Sequence, residues 1–179
     1  MRSEQVIDFW FEELEPQQWW VKDPDFDTMI GDRFGALLAN AAKGELWAWR
    51  TTPAGRLAEI IALDQFSRNI HRDTSQAFAN DAMALALAQE AVATRADAGL
   101  SLDGRRFLYM PYMHSESPVI HEEAVVLFTA PGLELNLEFE HKHKVIIDRF
   151  GRYPHRNAIL GRKSTSEELA FLLEPNSSF

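Results

Sequence analysis

Three stretches of this chain gather side chains able to hold an anion or move a proton. In Phe150-Gly151-Arg152-Tyr153-Pro154-His155-Arg156-Asn157, two arginines, an imidazole and an amide follow a glycine-ended helix. Such groups suit a carboxylate or phosphate, because a planar guanidinium offers paired donors. In the corner His114-Ser115-Glu116, between two helices, a carboxylate beside an imidazole can select its tautomer and form an acid/base pair. Ser115 or Ser117 serves equally well as an N-cap, and no G-x-S-x-G elbow supports a Ser-His-Glu triad. Third is Asp64, which lies seven, four and three residues after Leu57, Ile60 and Ile61 and so shares their inward face.

A buried carboxylate left alone costs several kcal/mol, so an arginine, a helix N-terminus or a bound group should meet Asp64. The structural alternative is a buried ion pair joining two helices. His143 precedes Ile146, Ile147 and Phe150 at three, four and seven residues, which turns it inward as a satisfied core histidine. His141 points to another side, so the pair is no i, i+4 metal clamp. For Arg152 and Arg156 the alternative is neutralisation of Asp64 and other inward acids, locking the C-terminal part to the body. Phe66-Ser67-Arg68-Asn69 echoes the Arg156-Asn157 pair just beyond a long amphipathic segment, and coincidence is the simpler reading.

The elements that must position these groups read as helices throughout. Ser3 can cap a first helix that Pro16 stops. Asp23-Pro24 and Thr52-Pro53 each place a capping residue before a proline at the first helical position, opening helices that run toward Gly44 and Gln65. An Ala-rich segment from Phe78 to Ala98 is closed by Gly99, and Ser101 precedes a helix reaching about His114, with Pro111 as a kink or end. Ser117-Pro118 opens a helix through Phe128, another runs from about Leu135 to Phe150, and Ser164 or Thr165 begins a capping box for the last, carrying Leu169, Leu172 and Leu173. No stretch alternates with the period of a strand. The expectation is one all-α domain over residues 1–179, with seven to eight helices in antiparallel hairpins.

Composition narrows the function. A net charge of −9 argues against nucleic-acid or membrane partners, although Lys142 to Lys163 holds seven basic residues against one acid and permits a local anion site. The absence of cysteine removes thiolate chemistry and fits a reducing compartment. With no apolar run of secretory or spanning length, the expected location is cytoplasmic. No phosphate loop, dinucleotide fingerprint, His-Glu-x-x-His or EF-hand loop is present, and no cofactor or metal is expected. Trp10, Trp19, Trp20, Trp47 and Trp49 read first as core or corner packing.

Asp8-Phe9-Trp10-Phe11, Trp19-Trp20, Gly55-Arg56-Leu57, Leu63-Asp64-Gln65-Phe66-Ser67-Arg68-Asn69, His114-Ser115-Glu116 and Arg149 to Asn157 together resemble the bacterial family called domain of unknown function 924. The likeness continues through Ala158 to Arg162 and on to Pro175-Asn176-Ser177-Ser178-Phe179, essentially the whole chain. It implies an all-α, tetratricopeptide-like helical array and no established reaction. Family members often carry proline where this chain has Ser67. The family motif takes in Asp64, Arg68, Asn69, His114, Glu116, His143, Arg152, His155, Arg156 and Asn157.

Two functions are expected from these residues. In one, a cleft between hairpins binds a small anionic molecule and can hydrolyse it: His114, Glu116 and His155 move protons, while Asp64, Arg68, Asn69, His143, Arg152, Arg156 and Asn157 bind or orient. In the other, the chain is a protein- or peptide-interaction module and the polar set only specifies helix packing. The oligomeric state is left open.

Overall fold

The computed structural model describes residues 1–175, 177 and 178, and among these every regular element is helical. Eight helices succeed one another: α1 (3–13), α2 (Pro24–Ala42), α3 (53–70), α4 (Asp81–Ala93), α5 (Leu102–Met113), α6 (Pro118–Phe128), α7 (Glu134–Phe150) and α8 (Ser166–Phe171). Short 3₁₀ turns join several of them. Asn176 and Phe179, the last part of the resemblance read from the sequence, lie outside the described residues.

Most of the expected start signals act as capping groups, although Ser117, at the head of α6, makes no side-chain cap bond. Asp23 Oδ1 accepts the Asp25 and Phe26 N–H groups at 2.9 and 3.2 Å, Thr52 Oγ1 that of Gly55 at 3.1 Å, and Ser101 Oγ that of Gly104 at 3.1 Å. Thr165, not Ser164, forms the capping box with Glu168. Gly151 ends α7 at φ +68, a conformation open to glycine at little cost. Ser3 is the first helical residue of α1 and not its cap.

Other expectations need correction. The Ala-rich segment breaks at Thr94 and Arg95, whose φ of 58 ends α4 well before Gly99. The helix expected to reach about His114 does so, ending at Met113 with His114 as its cap, and of the two alternatives for Pro111 the end is excluded, since the proline stands inside α5. α8 ends at Phe171, so Leu172 and Leu173 lie beyond it, and its buried residues are Glu168 and Phe171 while Leu169 is exposed.

Packing centres on α3, which touches α1, α2, α4 and α5; α5 continues the array to α6 and α7. The main core is aromatic, with Trp10 edge-on to Phe107 at 5.4 Å and to Phe66 at 5.7 Å, and Phe34 stacked on Phe66 at 4.7 Å. Trp19 packs on Phe107 at 5.0 Å, whereas Trp20 and Trp47 are exposed. A smaller core holds Ile146, Ile147, Tyr153 and Phe171.

α3 departs from regular helix where the polar residues begin. Pro53–Ile61 is α-helical, Ala62–Phe66 forms a π turn, and Ser67–Ile70 is α-helical again. A π turn accommodates one extra residue and rotates the next turns of the helix relative to those before it, a device common at functional sites. From Leu57 to Ser67 the helix is buried on every side, so even Glu59 is enclosed, meeting Arg50 through two 2.7 Å bonds.

Candidate anion site

Asp64 sits in the π turn, 1% exposed, and its carboxylate is fully engaged. Oδ1 meets His114 Nδ1 at 2.8 Å and Arg68 Nη1 at 3.0 Å, and Oδ2 accepts Gln65 Nε2 at 2.6 Å. Burial pushes the carboxyl pKa up, but Arg68, His114 and Gln65 outweigh it and hold the group below its ordinary range. Arg68 also clamps Asp81, the first residue of α4, through Nη1 at 2.9 Å and Nη2 at 3.0 Å.

Asp81 is the shared hinge of the cluster, because Arg156 Nη1 reaches its Oδ2 at 3.4 Å. The guanidinium of Arg156 lies between two rings, 4.6 Å from the centroid of Phe78 and 4.5 Å from that of Tyr153. The two Arg-Asn segments that echo each other in sequence therefore send their arginines to one carboxylate. Arg156 is 6% exposed, and its Nε is buried without a hydrogen-bond partner among the described residues. Burial and then the charge of Arg68 depress its pKa.

Tyr153 joins this cluster to a second one. Its hydroxyl donates to Met113 O at 2.6 Å, and its backbone N–H donates to Glu116 Oε1 at 2.9 Å. Glu116 is thus not the partner of His114: Arg162 holds it through two bonds of 2.5 and 2.9 Å, and the carboxylate beside His114 comes instead from Asp64. Asn157 accepts Arg162 Nε at 3.0 Å and donates to Ser164 Oγ at 3.0 Å. His155 leans on Tyr153 with ring centroids 5.5 Å apart, its Nδ1 buried and unpartnered among the described residues. His143 is 7% exposed, donates Nδ1–H to Phe139 O at 2.8 Å and meets the Tyr153 ring edge-on at 5.7 Å.

Behind Tyr153 lies a fully buried pair that helical spacing did not single out. His121 Nε2 lies 2.8 Å from Ser115 O, a carbonyl that only accepts, so Nε2 carries a proton. A further proton must then lie between His121 Nδ1 and Glu140 Oε1, which are 2.6 Å apart. Burial raises the Glu140 pKa, against the opposing pull of His121.

The structure thus brings together Asp64, Arg68, His114 and Arg156, with His143 and His155 around the adjoining Tyr153. It does not bring in Asn69, which donates to Asp27 Oδ1 at 2.8 Å, or Arg152, which forks onto Glu168 at 2.6 and 2.8 Å. Asp81 and Phe78 were missed because an acid opening an Ala-rich helix reads as a dipole-compensating residue and a lone Phe as core. The only available signal for them was the repeated Arg-Asn pair. The cluster reaches solvent along Arg68 and Asp81, each with a side chain 20% exposed. A cavity of about 280 Å³ lined by Leu38, Ile70, His71 and Asn80, and a smaller one beside Val21 and Phe26, lie apart from these groups.

Among the described residues no three His, Asp or Glu side chains converge as a metal site, and no helix is long and apolar enough to cross a membrane. No curated protein matches the chain. A solved structure titled as a protein of unknown function, ATU0120, from Agrobacterium tumefaciens is similar, with 37% identity, 96% of each chain covered and a TM-score of 0.91. Residues 6–176 match the family described as a bacterial protein of unknown function, DUF924, and it is to this family that the chain belongs.

Proposed function

We propose that the chain binds a small oxyanion-bearing molecule, a phosphate or carboxylate compound, at the junction of Arg156, Arg68 and His114, and that the reaction served there is hydrolytic. The observation that carries the reading is Arg156. A guanidinium has five N–H donors, and this one, nearly enclosed, meets a single acceptor at 3.4 Å while its Nε has none among the described residues. Burying a cation so poorly satisfied costs several kcal/mol, and an anion supplying the missing acceptors offsets that cost. The flanking Phe78 and Tyr153 rings hold the plane of the fork in place, which lowers the ordering cost of binding.

Titration calorimetry with phosphorylated and carboxylated metabolites tests this on three proteins: wild type, Arg156→Lys and Arg149→Ala. Arg149 is exposed and bonded to Glu167, away from the cluster. Wild type and Arg149→Ala should bind a common ligand, with Arg156→Lys at least about tenfold weaker, the loss expected when a bidentate fork becomes a point charge. Equal affinity in all three would remove Arg156 from the site.

The second reading, a protein- or peptide-binding module, draws on apolar side chains left exposed on α6 and α7, among them Val119, Val126, Leu135 and Val145. It gains if Val126→Glu abolishes capture of a partner that Arg156→Lys retains.

A further inference from the structure

Asp64 and His114 form a dyad whose free end no group among the described residues uses. A carboxylate held by Arg68 and Gln65 can only accept, so the 2.8 Å contact from His114 Nδ1 requires the proton on Nδ1. The neutral ring then carries its lone pair on Nε2, and no group among the described residues takes that atom, although the side chain is 12% exposed. Burial first, then the charge of Arg68, lowers the His114 pKa and so favours the neutral ring. Asp64 opposes that shift and is placed to stabilise an imidazolium once a proton arrives.

A carboxylate-fixed imidazole is the arrangement of a general base, and also of a metal ligand whose far nitrogen is oriented. The surrounding groups decide between them. Arg68 and Arg156 are matched in charge by Asp64 and Asp81. Among the described residues, however, no three His, Asp or Glu side chains converge as metal ligands, whereas Arg156 keeps a buried Nε–H with no acceptor, a donor that suits an anion and not a cation.

We infer that His114 Nε2 is the general base of this site, accepting a proton from water or from a hydroxyl of the bound anion, with Asp64 as its positioning residue. In that step the O–H bond breaks, the Nε2–H bond forms, and the electron pair left on oxygen becomes the nucleophile. The inference deepens the anion-site reading and rests on it for the substrate, but the state of the dyad can be read without any substrate.

Long-range ¹⁵N–¹H NMR of the full chain reads the tautomer directly. His114 should be the neutral Nδ1–H form near pH 7, and an Nε2–H tautomer or a doubly protonated ring there overturns the inference. Diethylpyrocarbonate, which acylates unprotonated imidazole nitrogen, supplies the second readout, by mass spectrometry with exposed His141 as internal control. His114 should be acylated, and phosphate at ten times its Kd, which leaves about one site in eleven free, should slow that reaction about tenfold without slowing His141. Reaction at His114 unaffected by phosphate or the other anions of the titration keeps the base and overturns the anion site. Protection of a His114 whose tautomer is Nε2–H does the reverse.

Discussion

Burial is the first cause of the weak basicity of His143 and His155, whose pKa values fall from 6.5 to about 3 and to about 4, and Arg156 pushes both the same way. The unfolded chain therefore binds protons that the folded chain refuses once pH drops below 6.5. Their stabilising contribution is complete above pH 6.5 and is lost on acidification, and Asp64, also depressed, adds to the loss at lower pH. For His143 alone the loss between pH 6.5 and about 5 amounts to about 2 kcal/mol. Urea midpoints measured across this range should fall with pH, and His143→Gln, which can still donate to Phe139 O, should flatten the slope. An unchanged slope in the variant removes His143 as its source. At this scale Asp64, expected inward, is buried in a π turn of a helix enclosed on every side, while the inward placement of His143 was legible from helical spacing, because the phase of a helix is a local property. The identity of their partners was not, since Asp64 meets a histidine 50 residues away.

α3 carries the second scale. Its N-terminal turn is pressed against the preceding 3₁₀ segment so closely that a Cβ on Gly55 would stand 2.0 Å from Trp49 O. That oxygen is backbone and cannot swing aside, so Gly55→Ala must shift the helix. Gly55→Ala should cost about 1–3 kcal/mol, as overpacking generally does, read as a lower urea midpoint at unchanged m. A midpoint equal to wild type means that this contact does not set the position of α3. The π turn further along is a feature that periodicity cannot reveal, because an extra residue in one turn leaves the apolar pattern on either side intact. The pattern there also understated the burial: Leu57, Ile60 and Ile61 suggested one inner face, whereas packing by α1, α2, α4 and α5 encloses the helix all round.

At the scale of the molecule, the two cores differ in size, and the C-terminal part is tied down by the buried ring of Tyr153 and by ion pairs. The Arg152–Glu168 and Arg162–Glu116 forks and the ring of Phe171 hold the segment after α7. Among the described residues α8 buries one apolar side chain, Phe171, so it should open before the rest. Amide hydrogen exchange should show α8 losing protection at a free energy well below that of α3, and Arg152→Ala should lower it further without changing exchange in α3. Uniform protection across both helices would contradict this division.

The amino-acid sequence alone determined the helical class, the capping residues Asp23, Thr52 and Ser101, and the inward turn of His143, all set by interactions within a few residues of chain. Only the tertiary structure decided that Glu116 serves Arg162 while Asp64 serves His114, that Asn69 and Arg152 stand apart, and that Asp81 gathers two arginines. Such pairings depend on how whole helices are rotated against one another, and that rotation is fixed by packing around α3 and by the extra residue in its π turn.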